Sequence, residues 1–200
     1  QENISSSGSG IALTRLNLGE LYAKTGNIEN AIIEWVAALK VDPSLLPAHF
    51  NLGTAYMMTG KLDLAENAFK HCLKLNSRYE PALFNLAKSY QMQKKWDESS
   101  QQFYVYLEVT GPNPSAYAQI GFNFNRQSDW ENAQKFFEKS ISLQPDNVDT
   151  RVYFAETLGS LGKIEKAREQ LQAALNPNPA QSAAINKMML SLTSPQNKTP

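Results

Sequence analysis

The 200-residue chain is predicted to be an all-α solenoid of stacked helical hairpins, and three observations predict it. Chemically alike residues recur every 34 positions through five copies with no insertion, as in Tyr22, Tyr56, Tyr90, Phe124 and Leu158. Small residues run at the same step, Gly19, Gly53, Ala87, Gly121, Ala155 and again Ala31, Ala65, Ser99, Ala133, Ala167, beside the large column Trp35, Phe69, Phe103, Phe137, Leu171. Helix-stopping residues recur at Pro43, Ser77, Gly111, Pro145 and Pro179. A fixed period of this length marks an array in which each unit buries its apolar face on its neighbours, so the chain is expected to behave as one elongated domain.

The copies run 12–45, 46–79, 80–113, 114–147 and 148–181. In the first, helix A spans Ala12 to Thr25 and stops at Gly26, which suits the left-handed residue after a helix end. Helix B spans Ile28 to Val41 and is closed by Asp42-Pro43. Later copies turn at Gly60, near Lys94 and Lys95, near Ser128, and at Gly162. Gly19 and Ala31 let the two backbones approach, and the rings of Tyr22 and Trp35 fill the space beside them. The Tyr and Trp rings are therefore expected to be the most sensitive core positions, with Tyr56→Ala costing about 3–5 kcal/mol.

Residues 1–11 read as a flexible polar tether. Beyond the array, Ile185, Met188, Met189 and Leu192 follow an i, i+3, i+4, i+7 stripe, predicting a capping helix over 182–193. Residues 194–200 are expected to be disordered. The third copy departs most from the pattern: Lys94 stands at the turn, Ser99 in an alanine column, and Tyr106 in the column of Ala38 and Ala174. That ring, with Gly111-Pro112-Asn113-Pro114, predicts a wider or more mobile junction between the third and fourth copies.

Lys plus Arg and Asp plus Glu each total 19, and apart from a small basic excess in the second copy the charges are evenly spread. This excludes a nucleic-acid binder that relies on phosphate neutralisation. Cys72 is the single cysteine, so no intrachain disulfide forms and the redox compartment stays open. No apolar run approaches the roughly 18 residues of a spanning helix. The chain begins with Gln, and two placements are expected for a soluble protein of this kind: bacterial periplasmic or membrane-tethered through a removed N-terminal segment, or cytoplasmic.

Chemistry-bearing residues are few. His49 is expected to pack against the core, His71 and Cys72 to point apart on one helix, and Cys72 to be buried and inert. Gly60-Lys61 and Gly162-Lys163 look like the end of a phosphate loop but lack its preceding glycine spacing and its strand. No catalytic residues, metal site or cofactor are expected.

Leu18-Gly19-x-x-Tyr22, then Ala31, Trp35 and Pro43, resembles the tetratricopeptide repeat, and the likeness covers residues 12–181. It implies a right-handed superhelix of helix–turn–helix repeats with a concave groove that takes protein partners. With Ala12 as position 1, the helical period puts positions 4, 7, 8 and 11 on one core-facing stripe. The resemblance places positions 2, 5, 6, 9, 12 and 13 in the groove. Position 6 reads Asn17, Asn51, Asn85 and Gln119 before breaking at Tyr153, a column similar to the Asn ladder in the repeat arm of O-linked N-acetylglucosamine transferases. A carboxamide both donates and accepts, so it can pair with the peptide groups of an extended chain or bond within its own helix.

The neighbouring groove positions are apolar: Leu16, Phe50 and Phe84 at 5, Met57, Met58 and Met92 at 12 and 13, and Phe122 at 9. They either seat a ligand's side chains or are closed over by adjacent helices. Thr54 and Lys88 at position 9 and Arg126 at 13 complete the candidate set. The basic clamp of chaperone-tail-binding members is absent, its positions holding Leu16, Glu20, Asn51, Pro81 and Asn85. The expected function is a non-catalytic scaffold that binds an extended peptide segment of a partner protein, centred on the second to fourth copies. Two alternatives are a self-assembling scaffold, homodimeric through Met188, Met189 and Leu190 of the C-terminal helix, and the repeat arm of a larger enzyme or of an envelope assembly complex similar to pilus-assembly lipoproteins.

Overall fold

A computed structural model describes residues 2–175 and 182–193. Among these the chain is all helix: α1 (Glu2–Lys24), α2 (Ile28–Val41), α3 (Leu46–Met58), α4 (Leu62–Leu75), α5 (Glu80–Met92), α6 (Trp96–Thr110), α7 (Pro114–Arg126), α8 (Trp130–Leu143), α9 (Val148–Ser160), α10 (Ile164–Leu175) and α11 (Ser182–Thr193). The helices group into two compact units, residues 1–95 with α1–α5 and residues 96–200 with α6–α11. In the first, α1 pairs with α2 and α3 with α4, while α2 seats on α3 and α4 on α5. In the second, α7 pairs with α8 and α9 with α10, while α6 seats on α7, α8 on α9 and α11 on α10.

Every helix A ends in the same turn. The amides of Asn27, Lys61, Lys95, Asp129 and Lys163 donate to the carbonyls of Tyr22, Tyr56, Tyr90, Phe124 and Leu158 at 2.8–2.9 Å, the six-to-one bond of a Schellman motif. The residue before each donor has left-handed backbone: Gly26, Gly60, Lys94, Ser128 and Gly162. At Lys94 and Ser128, φ of 60° and 62° is held by residues with a Cβ, a strain of about 1–2 kcal/mol each. Helix B starts are capped where the sequence offers a side chain: Asn27 accepts from the Asn30 amide and Asp129 from the Asn132 amide.

The small and large columns meet inside the hairpins of the first, second and fourth copies. A Cβ on Gly19, Gly53 or Gly121 would fall 2.4, 2.6 or 2.9 Å from the ring of Trp35, Phe69 or Phe137. In the fifth copy the pair is Ala155 and Leu171, both buried; the smaller Leu leaves room for the methyl. Phe69 and Phe137 are fully buried, and Trp35 nearly so, donating its Nε1–H to the Leu16 carbonyl at 3.2 Å. Tyr22 and Tyr56 are only half-buried. The Trp35 column is thus the more deeply buried ring, and Tyr56→Ala is expected to cost less than Phe69→Ala.

One more expectation, over residues 1–11, is corrected. The tether expected over residues 1–11 is helical from Glu2, and Gly8 lies beside the Val41 side chain at the end of α2. Once α1 is nucleated against α2, each added residue gains a backbone bond without a new nucleation cost, which carries the helix into a Ser/Gly-rich stretch. Between the third and fourth copies, Asn123 Nδ2 donates to Ser99 Oγ at 2.9 Å and Ser100 Oγ at 3.0 Å, all buried. These bonds hold α6 to α7, with the Tyr106 ring half-buried, whereas the division into units falls one step earlier, between Lys95 and Trp96.

On α11, Ile185 is buried and Met188, Met189 and Leu192 pack against the cluster of Phe154, Leu158 and Leu171. Pro179 and the tail expected to be disordered over 194–200 lie outside the described residues.

Candidate functional site

In the first unit, helix A residues at positions 5, 6, 9, 12 and 13 of the first two copies converge on a cavity of about 280 Å³. α3 supplies Phe50, Asn51, Thr54 and Met58, and α1 supplies Glu20, Ala23 and Lys24. The buried Trp35 and Ala55 form its base. Asn51 Nδ2 donates to Glu20 Oε1 at 3.4 Å, so this carboxamide bridges two copies. Thr54 Oγ1 donates to the Phe50 carbonyl at 3.1 Å.

The remaining predicted residues of this unit divide by exposure. Met58 and Met92 are 68% and 51% exposed, and Asn17 is exposed. Asn85, Phe84 and Lys88 are half-buried, and burial holds the Lys88 ammonium below its ordinary pKa. Phe50 also braces the core, edge-on to Tyr79 at 5.5 Å and tilted against Phe69 at 6.0 Å, and Met57 packs on the same cluster. Glu20, Ala23 and Lys24 were not among the predicted site residues. Their signal lay in the 34-residue step, since they occupy columns 9, 12 and 13 of the first copy.

In the second unit, Gln119 is half-buried and Arg126 exposed. Phe122 is flanked edge-on by Trp96 at 6.1 Å and Tyr153 at 5.1 Å. The Asn column thus gives way to edge-on rings where it breaks at Tyr153. A larger cavity, about 570 Å³, lies between the α9–α10 hairpin and α11. Its Glu156, Gly159, Ser160, Ile164 and Leu171 stand one for one with Glu20, Ala23, Lys24, Ile28 and Trp35 of the first cavity. Leu171 is smaller than Trp35, which leaves more empty space. The facing wall differs: α3 presents an amide and a hydroxyl, whereas α11 presents Met188 and Leu192 with Ser191.

His49 is half-buried at the flank of α3 and not in the core: its ring stacks on His71 at 5.1 Å, and its Nε2 lies 2.9 Å from the Pro43 carbonyl oxygen. Burial, with His49 beside it, lowers the His71 pKa. Burial pushes the Cys72 thiol up to about 12, so it is protonated and unreactive at neutral pH. Among the described residues no group of three or more His, Cys, Asp or Glu side chains converges, and no helix is long and apolar enough to cross a membrane.

Solved structures share the architecture. A tetratricopeptide repeat protein from Parabacteroides merdae aligns with a TM-score of 0.82 at 16% identity, covering 92% of this chain and 72% of that one. Pseudomonas aeruginosa pilF aligns with a TM-score of 0.73 at 20% identity, covering 93% and 90%. YrrB, described as a tetratricopeptide protein with an unusual peptide-binding site, aligns with a TM-score of 0.73 at 19% identity, covering 88% and 91%. At these identities the likeness shows the fold. No curated protein matches the sequence. Tetratricopeptide-repeat family models match residues 19–60, 47–79, 81–108 and 125–190. With the five Schellman turns and the glycine–ring pairs in register with those matches, the chain belongs to the tetratricopeptide-repeat family, whose fold serves protein–protein interaction.

Proposed function

We propose that residues 1–95 bind an extended segment of a partner protein along their concave face, and that the chain works as a non-catalytic scaffold. The observation that supports this most directly is the cavity beside Asn51, where the groove columns of two successive copies meet around a polar rim of Asn51, Thr54, Glu20 and Lys24. Asn51 and Asn85, one repeat apart, offer carboxamides to successive peptide groups, independent of the ligand's side chains. Met58 and Met92, exposed and adaptable, take the apolar side chains that such a segment carries. Glu20 disfavours a free carboxylate and favours a cationic residue at that point. YrrB, with its peptide-binding site, shows that the fold can hold a peptide; the residues here are this chain's own.

The test is a library of extended peptides, with affinities measured by fluorescence polarisation for the wild-type chain and an Asn51→Ala, Asn85→Ala double variant of unchanged helicity. Each lost amide contact is worth about 1 kcal/mol, so the double variant should bind about 10–30-fold more weakly. Equal affinity would place recognition off the Asn column.

A further inference from the structure

Among the described residues, no helix covers the outer face of α1, which has the pattern of a helix seat. At positions 3, 7 and 10, the later copies are buried beneath the helix that precedes them. Ala48, Leu52 and Ala55 lie on α2, and Thr150, Phe154 and Thr157 on α8; the third and fourth copies repeat the pattern on α4 and α6. The same positions of α1 hold Thr14, Leu18 and Leu21, and all three are exposed, Leu21 by 58%. Beside them Gly10, Thr14 and Leu18 of α1 border an open hollow of about 450 Å³ that Glu34 closes from α2.

We propose that a second copy of this chain fills the seat, α1 packing antiparallel on α1 about a two-fold axis. The ridge carries its own complement: Gly10 and Thr14 are small, Leu18 and Leu21 large. Reversing one helix sets Leu21 over the partner's Gly10 and Leu18 over the partner's Thr14. A Cβ at Gly10 meets nothing within 4 Å, so the receiving side is open. The contact continues the interface that the array already uses between copies, and it is isologous, the commonest way for two identical chains to close. Arg15 is already paired with Glu34 at 2.8 Å, so no unpaired cation is brought to the axis.

In this register residues 8–24 of the two helices overlap, a strip roughly 25 Å long and about 10 Å wide, on the order of 250 Å² per copy. That is less than half of the about 800 Å² per partner of a stable complex, so the dimer is weak and concentration-dependent. This surface is separate from the concave face and from α11, and the inference does not rest on peptide binding.

Sedimentation equilibrium of the whole chain from about 5 to about 500 µM should show a monomer–dimer equilibrium. Leu21→Glu, and separately Gly10→Phe, which puts a ring in the hollow where a Cβ meets nothing within 4 Å, should each weaken it by at least about tenfold with helicity unchanged. Under mild oxidation, mixed Gly10→Cys and Leu21→Cys chains should cross-link, whereas Gly10→Cys alone should not; buried Cys72 does not compete. A monomeric mass throughout, a dimer that survives both substitutions, or cross-linking of Gly10→Cys with itself would each overturn the proposal.

Discussion

Residues 1–95 and 96–200 are built on one repeat frame but join their copies with different chemistry. In the first unit the junction of the second and third copies centres on an ion. Glu66 of α4 accepts from Lys70 Nζ at 2.6 Å, Lys95 Nζ and Gln93 Nε2 at 3.2 Å, and the Tyr90 hydroxyl at 3.4 Å. In the second unit the buried bonds between copies are neutral, and the charged donors, Lys163 Nζ to the Gln134 amide oxygen and Arg151 Nε to the Pro145 carbonyl, are exposed. Asn123 reaches Ser99 and Ser100, and Asn125 Nδ2 donates to Thr157 Oγ1 at 2.8 Å. The inner faces differ as well: the first unit opens a polar-rimmed cavity, whereas the second packs Trp96, Phe122 and Tyr153 edge-on. Shared columns set where helices meet, and the residues between them decide how each meeting responds to solvent and ligand.

The largest effects should be common to both units. Phe69→Ala and Phe137→Ala each remove a fully buried ring from the same column and should each cost about 3–5 kcal/mol in urea unfolding. A loss confined to one of them would show that the frame is not equivalent in the two units.

The polar joints should then separate them. Asn123→Ala strands two buried hydroxyls and should cost about 1–3 kcal/mol at any pH. Glu66 behaves otherwise. Burial raises its pKa, but the bonds from Lys70, Lys95 and Gln93 outweigh that and hold it at about 2, below the ordinary 4.5. A carboxyl whose folded pKa is depressed contributes fully above its unfolded pKa and loses that contribution as pH falls through the folded one. After solvent screening around the exposed lysines the contribution is about 1–2 kcal/mol, lost between about pH 4.5 and pH 2. Hydrogen exchange in that window should fall in protection at α4 and α5 before α7 to α9. Glu66→Gln should remove the difference. Parallel loss in both units would break the distinction.

The smallest effect lies at the turns. Lys94→Gly and Ser128→Gly relieve left-handed backbone and should each stabilise by about 0.5–1 kcal/mol, read as a rise in Tm. Equal gains would show that the two turns are interchangeable although they lie in different units.

The 34-residue step made most of the fold legible, because each column meets one fixed environment. The turns at Lys94 and Ser128 were readable without glycine, since neighbouring copies supplied it at Gly60 and Gly162. Periodicity could not rank the rings. Tyr56 and Phe69 look alike as columns, and only packing shows that Phe69 is sealed beneath Gly53 while Tyr56 sits half out. Residues 1–11 lie outside the repeat, where Ser and Gly propensity misled and the neighbouring helix decided. Of the candidate site, the columns named Phe50, Asn51, Thr54 and Met58. Glu20, Ala23 and Lys24 were passed over because the first copy's side of the groove was not read against the second's. The division at Lys95 and Trp96 follows no break in the period at all.

The central claim is that the first unit's concave face holds the peptide. The five methionines are placed to test it, with Met57, Met58 and Met92 in the first unit and Met188 and Met189 on α11. Met58 lines the smaller cavity and Met188 the larger. Methyl-labelled methionine should be followed by NMR while the tightest library peptide is titrated in. The account predicts that the Met58 methyl shifts with the binding curve and the Met188 methyl stays in place; movement of Met188 with Met58 unmoved would contradict it.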